Sequence, residues 1–187
     1  TTTVVYGNEG EDDLRVFSAG DVTVFGGNGS VDSTDVADSI TVSLANGEAR
    51  ANIFGNGGTD DINIFGDFGG EFHVFGGVGD DVISGGAPGT AAVIGDGSEI
   101  FGNDGADTIN VSLIGEGATA FIYGGDSNAD PVDGNDIITV ATDDGQNATI
   151  FGNGGDDAIT FTGEGSVTVF GGVGNDVITF GGSNFNV

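Results

Sequence analysis

The sequence predicts an all-β chain wound as a right-handed parallel β-solenoid of about eight coils. Three observations carry that reading. Eight aromatic residues stand directly before the first glycine of a glycine turn, at Tyr6, Phe25, Phe54, Phe75, Phe101, Tyr123, Phe151 and Phe170. Short segments on either side alternate β-branched residues with polar ones, which is the period of a strand. No helical period occurs, and internal repeats of this length mark stacked coils. The hand follows from the general chirality of parallel crossovers.

The elements of one coil can be taken in order. The steps between successive aromatics are 19, 29, 21, 26, 22, 28 and 19 residues, and the shortest describes a bare coil. A strand leads into the glycine turn, as in Val22-Thr23-Val24 or Val167-Thr168-Val169. A second strand leaves it, as in Ile40-Thr41-Val42 or Ile159-Thr160-Phe161. A closing turn follows on the other side: SAGD (18–21), NGE (46–48), GGE (69–71), or GEG (115–117 and 163–165). Longer steps carry insertions. In coils two and six the stretches Gly26 to Asp38 and Gly124 to Asp136 are each 13 residues, where 6 is normal.

A larger period lies above the coil. Matched coils are offset by 95, 98, 97 and 95 residues, so the chain reads as one domain, 1–187, of two four-coil blocks, approximately 1–95 and 96–187. The chain begins directly on a strand, TTTVVYG. Phe185-Asn186-Val187 reads as the strand before a ninth turn. Neither end resembles a polar cap, so the array is expected to continue or the molecules to stack end to end.

Composition narrows the partners. Two Lys or Arg against 30 Asp or Glu give a net charge of −28. Like charges at this density oppose compaction. Cations are therefore the expected partners, while nucleic acid and direct membrane insertion are excluded as expectations. With no Cys there is no disulfide framework or thiolate metal site.

The glycine turns carry the chemistry. Aligned, they read G-[GN]-x-G-x-D-x-[ILV]: GNEGEDDL (7–14), GNGGTDDI (55–62), GGVGDDVI (76–83), GNDGADTI (102–109), GNGGDDAI (152–159) and GGVGNDVI (171–178). Glycine permits backbone carbonyls to turn inward. One Asp per coil adds a carboxylate: Asp12, Asp38, Asp60, Asp81, Asp107, Asp136, Asp157 and Asp176. The carbonyls are assigned to Gly7, Gly10, Gly55, Gly57, Gly76, Gly79, Gly102, Gly105, Gly152, Gly154, Gly171 and Gly174. Coils stacked about 4.8 Å apart would share each ion between neighbouring turns. An all-oxygen cage of flexible geometry is the preference of Ca²⁺. Eight turns leave seven gaps, and seven Ca²⁺ bring +14, half of −28. Asp32, Asp35, Asp130 and Asp133 in the two long turns are candidates for extra ligands.

These turns resemble the nonapeptide repeats G-G-x-G-x-D-x-U-x of RTX (repeats-in-toxin) proteins. The resemblance covers nearly the whole chain. It implies a calcium-dependent β-roll formed after export, as in bacterial surface layers, adhesins, filaments and secreted toxins or hydrolases. The chain departs from that pattern in carrying the motif on one side of each coil. It is therefore expected to hold a single row of about seven Ca²⁺.

The aromatic before each turn follows an inward residue (Val5, Val24, Ile53, Val74, Ile100, Ile122, Ile150, Val169) and so is expected to face outward. Tyr6, Phe25, Phe54, Phe75, Phe101, Tyr123, Phe151 and Phe170 would then form a ladder. It either packs on itself or serves as a lateral contact strip.

Catalysis is not expected. His73 is a lone outward residue without an evident partner. Asp60-Asp61 and Asp156-Asp157 are adjacent on strands and face opposite ways. Arg15 and Arg50 are the only strong cations for a polysaccharide lyase site. The outward column Arg15, Thr41, Asn63, Ser84, Asn110, Thr139, Thr160, Thr179 is small and polar, but it is not the uniform Thr row of an ice-binding solenoid, a minor alternative. The function expected is that of an extracellular or cell-surface calcium-binding structural protein: a surface layer, filament, matrix or adhesin stalk. It would associate end to end or laterally, with a cell-surface polysaccharide as a further partner class. The alternative is a calcium-triggered secretion module of a larger toxin or hydrolase.

Overall fold

A computed structural model of the chain describes residues 2–65, 69–85, 92–127 and 130–181. The strand read at Phe185–Val187 lies outside them. In chain order the strands are β1 (Thr3–Tyr6), β2 (Asp13–Ser18), β3 (Val22–Phe25), β4 (Ser39–Leu44), β5 (Arg50–Gly57), β6 (Asp61–Phe65), β7 (Glu71–Val78), β8 (Val82–Ser84), β9 (Ala92–Ile94), β10 (Glu99–Asp104), β11 (Thr108–Leu113), β12 (Thr119–Tyr123), β13 (Ile137–Thr142), β14 (Asn147–Gly154), β15 (Ala158–Gly163), β16 (Ser166–Val173) and β17 (Val177–Gly181). They form two parallel sheets, as expected of a β-solenoid of about eight coils. Strands leading into the glycine turns make one sheet, in the order β1-β3-β5-β7-β10-β12-β14-β16. Strands leaving them make the other, β17-β15-β13-β11-β8-β6-β4-β2. Among the described residues no helix is long and apolar enough to cross a membrane.

The register keeps like residues on like. Val24 pairs Ile53, Ile53 pairs Val74, and Ile100 pairs Ile122. Side chains alternate faces along a strand, so this register stacks apolar residues into continuous inner columns. Ile40, Ile62, Ile83, Ile109 and Ile138 fill one wall and Val24, Ile53, Val74, Ile100 and Ile122 the other, all fully buried. Each such side chain contributes roughly 1.5–3 kcal/mol by leaving water. Volume is balanced within a column: Phe72, with Phe161 one of the two bulkiest fully buried side chains among the described residues, lies between Ala51 and Ser98 of the neighbouring coils. Ser98 Oγ accepts a hydrogen bond from the Phe72 N–H at 3.1 Å, so this buried hydroxyl is satisfied.

The insertions fall in two kinds of place. In coils two and six they lengthen the glycine turn itself. In coil four the leaving strand is interrupted. β11 pairs β8 at Thr108 and Ile109, then β9 at Val111, Ser112 and Leu113. The inner wall is thereby restored on the far side of the insertion. The polar column on that sheet is not an even row, because Asn63 and Ser84 are buried and Ser84 Oγ donates to Asn63 Oδ1 at 3.3 Å.

Candidate functional site

The motif of each turn has a conformational cause. Its second position takes a positive φ wherever a short turn is built on Asn: 75° at Asn8, 84° at Asn56, 76° at Asn103 and 79° at Asn153. Gly77 and Gly172 occupy the same position at 120° and 115°. Asn and Gly are the residues that tolerate this region, which explains why the position alternates between them. The fourth position is always Gly, with φ from 107° to 148° among Gly58, Gly79, Gly105, Gly155 and Gly174.

These turns place the aspartates in one column. Asp60, Asp81, Asp107 and Asp136 are each 1% exposed. Their backbone partners form an unbroken chain along the axis. The N–H of Asp12 donates to Asp38 Oδ1, Asp38 to Asp60, Asp60 to Asp81, Asp81 to Asp107, Asp107 to Asp136, Asp136 to Asp157 and Asp157 to Asp176, at 2.7–3.1 Å. From Asp38 onward, one oxygen of each carboxylate thus ties its coil to the preceding one.

The other oxygen has no such use. Oδ2 of Asp12, Asp38, Asp60, Asp81, Asp107, Asp136 and Asp157 is buried and has no hydrogen-bond partner in the protein. Each of these oxygens lies against the first glycine of its own turn, and the carbonyl of the next coil's first glycine approaches the same point. A Cβ on Gly55 would meet Asp60 Oδ2 and Gly76 O, and one on Gly102 would meet Asp107 Oδ2 and Gly124 O. The same pair of oxygens recurs at Gly7, Gly26, Gly76, Gly124 and Gly152. Seven cells therefore hold a carboxylate oxygen facing a carbonyl oxygen. Two acceptors cannot satisfy one another, and the carbonyl can already be engaged, as Gly124 O is by the Asn103 N–H at 3.0 Å, so the Oδ2 atoms are what a proton or a cation would satisfy.

Burial without a counter-charge raises the pKa of these acids. Desolvation, assisted by neighbouring carboxylates in and beside the column, pushes Asp38 to about 6, Asp60 and Asp81 to about 7 and Asp107 to about 8. Asp136 and Asp157 are also pushed up, again chiefly by burial. A hard cation fits this donor set, because every candidate ligand is oxygen and carries or shares negative charge.

The other expected residues fall into three groups. Gly76, Gly102, Gly152 and Gly171 lie directly against a column Asp Oδ2, as does Gly7, while Gly10, Gly79, Gly105 and Gly174 hold the turn at positive φ. Gly57 and Gly154 do something else. The backbone of the long turns runs over them, with Asp32 O 3.1 Å from the Cβ position of Gly57 and Pro131 C 2.8 Å from that of Gly154. A signal for this stood in the sequence: third-position glycine occurs only at Gly57 and Gly154, in the coil after each long turn. Asp32, Asp35, Asp130 and Asp133 lie within those long turns, beside the column.

The eight aromatics face outward and stack on one another. Ring centroids from Tyr6 through Phe170 are 4.6–5.0 Å apart with interplanar angles of 2–16°. The middle rungs are half-buried; Tyr6 and Phe170 are 50% and 51% exposed. The long turns rise beside this ladder. One groove of about 550 Å³ has Phe54, Phe75 and Val78 at its base, with Ser30–Ser33 and Asp126 along its sides. His73 has partners that the sequence did not suggest: Nε2 is 2.8 Å from Glu71 Oε1, and Nδ1 is 3.5 Å from Glu99 Oε2. Arg50 pairs with the second Glu71 oxygen at 2.7 Å. Asp61 and Asp156 are exposed while their neighbours Asp60 and Asp157 are buried, so neither pair flanks a common site.

No family model matches the chain, and searches of the curated proteins and of the solved structures likewise return no match.

Proposed function

We propose that this chain is an extracellular calcium-binding structural protein whose coils lock together when Ca²⁺ fills the aspartate column. The observation that carries the reading is the run of seven buried, unpartnered Oδ2 atoms, each opposed by a carbonyl from the next coil. The RTX-like motif supports Ca²⁺ over other hard cations. Asp12, Asp38, Asp60, Asp81, Asp107, Asp136 and Asp157 would hold the row with the first-glycine carbonyls. The cation supplies the positive charge that the cells lack, in a chain carrying −28.

Folding is then linked to binding, because ligands that must converge from two coils do not exist as a site in the unfolded chain. At low calcium the acidic chain stays extended; at extracellular calcium it winds. Circular dichroism and light scattering during an EDTA and calcium titration test this. The β signal should rise and the hydrodynamic radius fall with Ca²⁺, while equal Mg²⁺ does much less. A fold indifferent to EDTA would sink the proposal.

The ladder and its flanking grooves support a role in lateral assembly, as in a surface layer, filament or matrix. Substituting Phe54, Phe75 and Phe101 by Ser should abolish lateral association and leave the calcium-induced transition in place. Sedimentation of the variant in calcium reads both. Association that survives would reduce the ladder to internal stacking.

A further inference from the structure

The two long turns repeat one pattern, Asp32-x-x-Asp35-x-x-Asp38 and Asp130-x-x-Asp133-x-x-Asp136. Only the last Asp of each belongs to the column. The middle one of each is held by a substitution in the turn's own hydrogen bonding. In short turns the fourth-position glycine N–H donates to a backbone carbonyl of the next coil: Gly58 to Val78 at 2.9 Å, Gly79 to Asp104 at 2.8 Å, Gly155 to Val173 at 2.9 Å. Where the next coil has a long turn, the acceptor is a carboxylate instead. Gly10 N–H donates to Asp35 Oδ1 at 3.4 Å, and Gly105 N–H donates to Asp133. A negative charge stands where other coils carry a neutral carbonyl.

The second oxygen of each of these acids is buried with no partner. Asp35 as a whole is only 9% exposed. Its Oδ2 and that of Asp32 converge over the Cα of Gly27, 2.5 and 3.2 Å from where a Cβ would be. Asp133 Oδ2 takes the same place over Gly125, at 2.5 Å. Asp32 is oriented by the Thr34 hydroxyl and by the backbone and side-chain N–H groups of Asn28. In the second block Asp130 accepts from the N–H groups of Asp126 and Val132, and carboxylate oxygens of Asp104, Asp126 and Asp130 lie within 4.8 Å of one another. The same buried, unpartnered oxygen thus appears twice, 98 residues apart.

We propose that each long turn holds a divalent cation of its own beside the column, on Asp32 and Asp35 in the first block and on Asp130 and Asp133 in the second. This rests on the calcium reading of the column. Asp35 adds to the repulsion on Asp38 and Asp60, and Asp133 to that on Asp107 and Asp136. The outer ligands Asp32 and Asp130 are partly exposed, so water completes these shells and they fill at higher calcium than the column. The second block's site, with Asp104 and Asp126 nearby, binds more tightly than the first, where Glu9 and Asn28 take those places.

Native mass spectrometry of the whole chain in calcium counts the ions, and circular dichroism reads the fold. The wild type should hold seven column ions plus two. Asp32→Asn/Asp35→Asn should lose one ion, Asp130→Asn/Asp133→Asn one, and the quadruple variant two, each still folding with calcium. An unchanged count in folded variants overturns the long-turn sites while leaving the column intact. Wild-type protein that binds no calcium overturns the column reading itself. Should a variant fail to fold, anomalous diffraction from wild-type crystals grown with Mn²⁺ decides: peaks beside Gly27 and Gly125 support the sites, and peaks confined to the column refute them.

Discussion

At the glycine-turn edge, Asp60, Asp81, Asp107 and Asp136 are almost wholly buried, and each leaves one oxygen without a partner. At the opposite edge, Asp21 and Asp96 are exposed, and each accepts the N–H of a neighbouring coil, from Arg50 at 3.0 Å and Thr119 at 2.8 Å. Both edges are acidic, both turn on glycine, and both use a carboxylate to stitch coil to coil. Only the first removes the remaining oxygen from water. A net charge therefore does not locate a need for cations. Desolvation without a partner does, because an exposed carboxylate is satisfied by solvent and a buried one is not.

The sharpest way to break that comparison is steric. Gly102→Ala puts a Cβ into the contact between Asp107 Oδ2 and Gly124 O. The carbonyl is held by the Asn103 N–H at 3.0 Å and cannot retreat without losing that bond, so the substitution should cost about 3 kcal/mol in calcium. Gly117→Ala at the opposite edge meets nothing within 4 Å and bears only the strain of φ 72°, about 1 kcal/mol. Urea unfolding of both variants in calcium measures the difference. Equal losses would mean that the glycine-turn edge is no more crowded than the other.

Charge gives the next effect, and its sign should reverse with calcium. Asp107→Asn keeps the acceptor for the Asp81 N–H and replaces the orphaned oxygen with a donor facing the Gly124 carbonyl. In EDTA above pH 8, where Asp107 is ionised, this removes a buried unsatisfied charge and should favour the fold over the extended chain by about 1–3 kcal/mol. In calcium it removes a ligand and should destabilise by a similar amount. A substitution that acts in the same direction under both conditions would separate the column from cation binding.

The column also predicts an inverted pH dependence in chelator. Asp60 and Asp81 titrate at about 7 and Asp107 at about 8 in the fold, against an ordinary 3.8. Acids with raised pKa bind protons more tightly when folded, so the stability they contribute is fully present below about pH 4. It is lost as the pH climbs through 7 and 8. Circular dichroism in EDTA should therefore show β signal at pH 5, where protons neutralise the column, that falls away by pH 8, and calcium should flatten the slope. A β signal that rises with pH in EDTA would contradict burial as the dominant influence.

Much of this edge was legible because it repeats. One Asp per coil, the Gly-or-Asn second position and the alternation around Ile53 or Ile109 are local patterns, and local patterns fix what happens within a coil. The contacts between coils were not legible in the same way. That Asp38 Oδ1 takes the Asp12 N–H depends on stacking, which no single turn encodes. The path of a long turn over Gly57 or Gly154 depends on which neighbour it leans against. His73 read as solitary because Glu71 and Glu99 reach it from its own strand and the next coil. The break between β8 and β9 was hidden because the inner wall resumes in phase beyond it.

The smallest effect belongs to the opposite edge and completes the comparison. Asp96→Asn keeps the oxygen that accepts the Thr119 N–H, so stability should change by less than about 0.5 kcal/mol. Asp96→Ala loses that bond but leaves an N–H that water can reach, at a cost of about 1 kcal/mol or less. Neither value should depend on calcium, since no second oxygen is trapped there. If Asp96→Asn shifted the calcium midpoint as Asp107→Asn does, cations would be responding to charge density along the whole solenoid. An unshifted midpoint places the response where carboxylates are buried against glycine carbonyls.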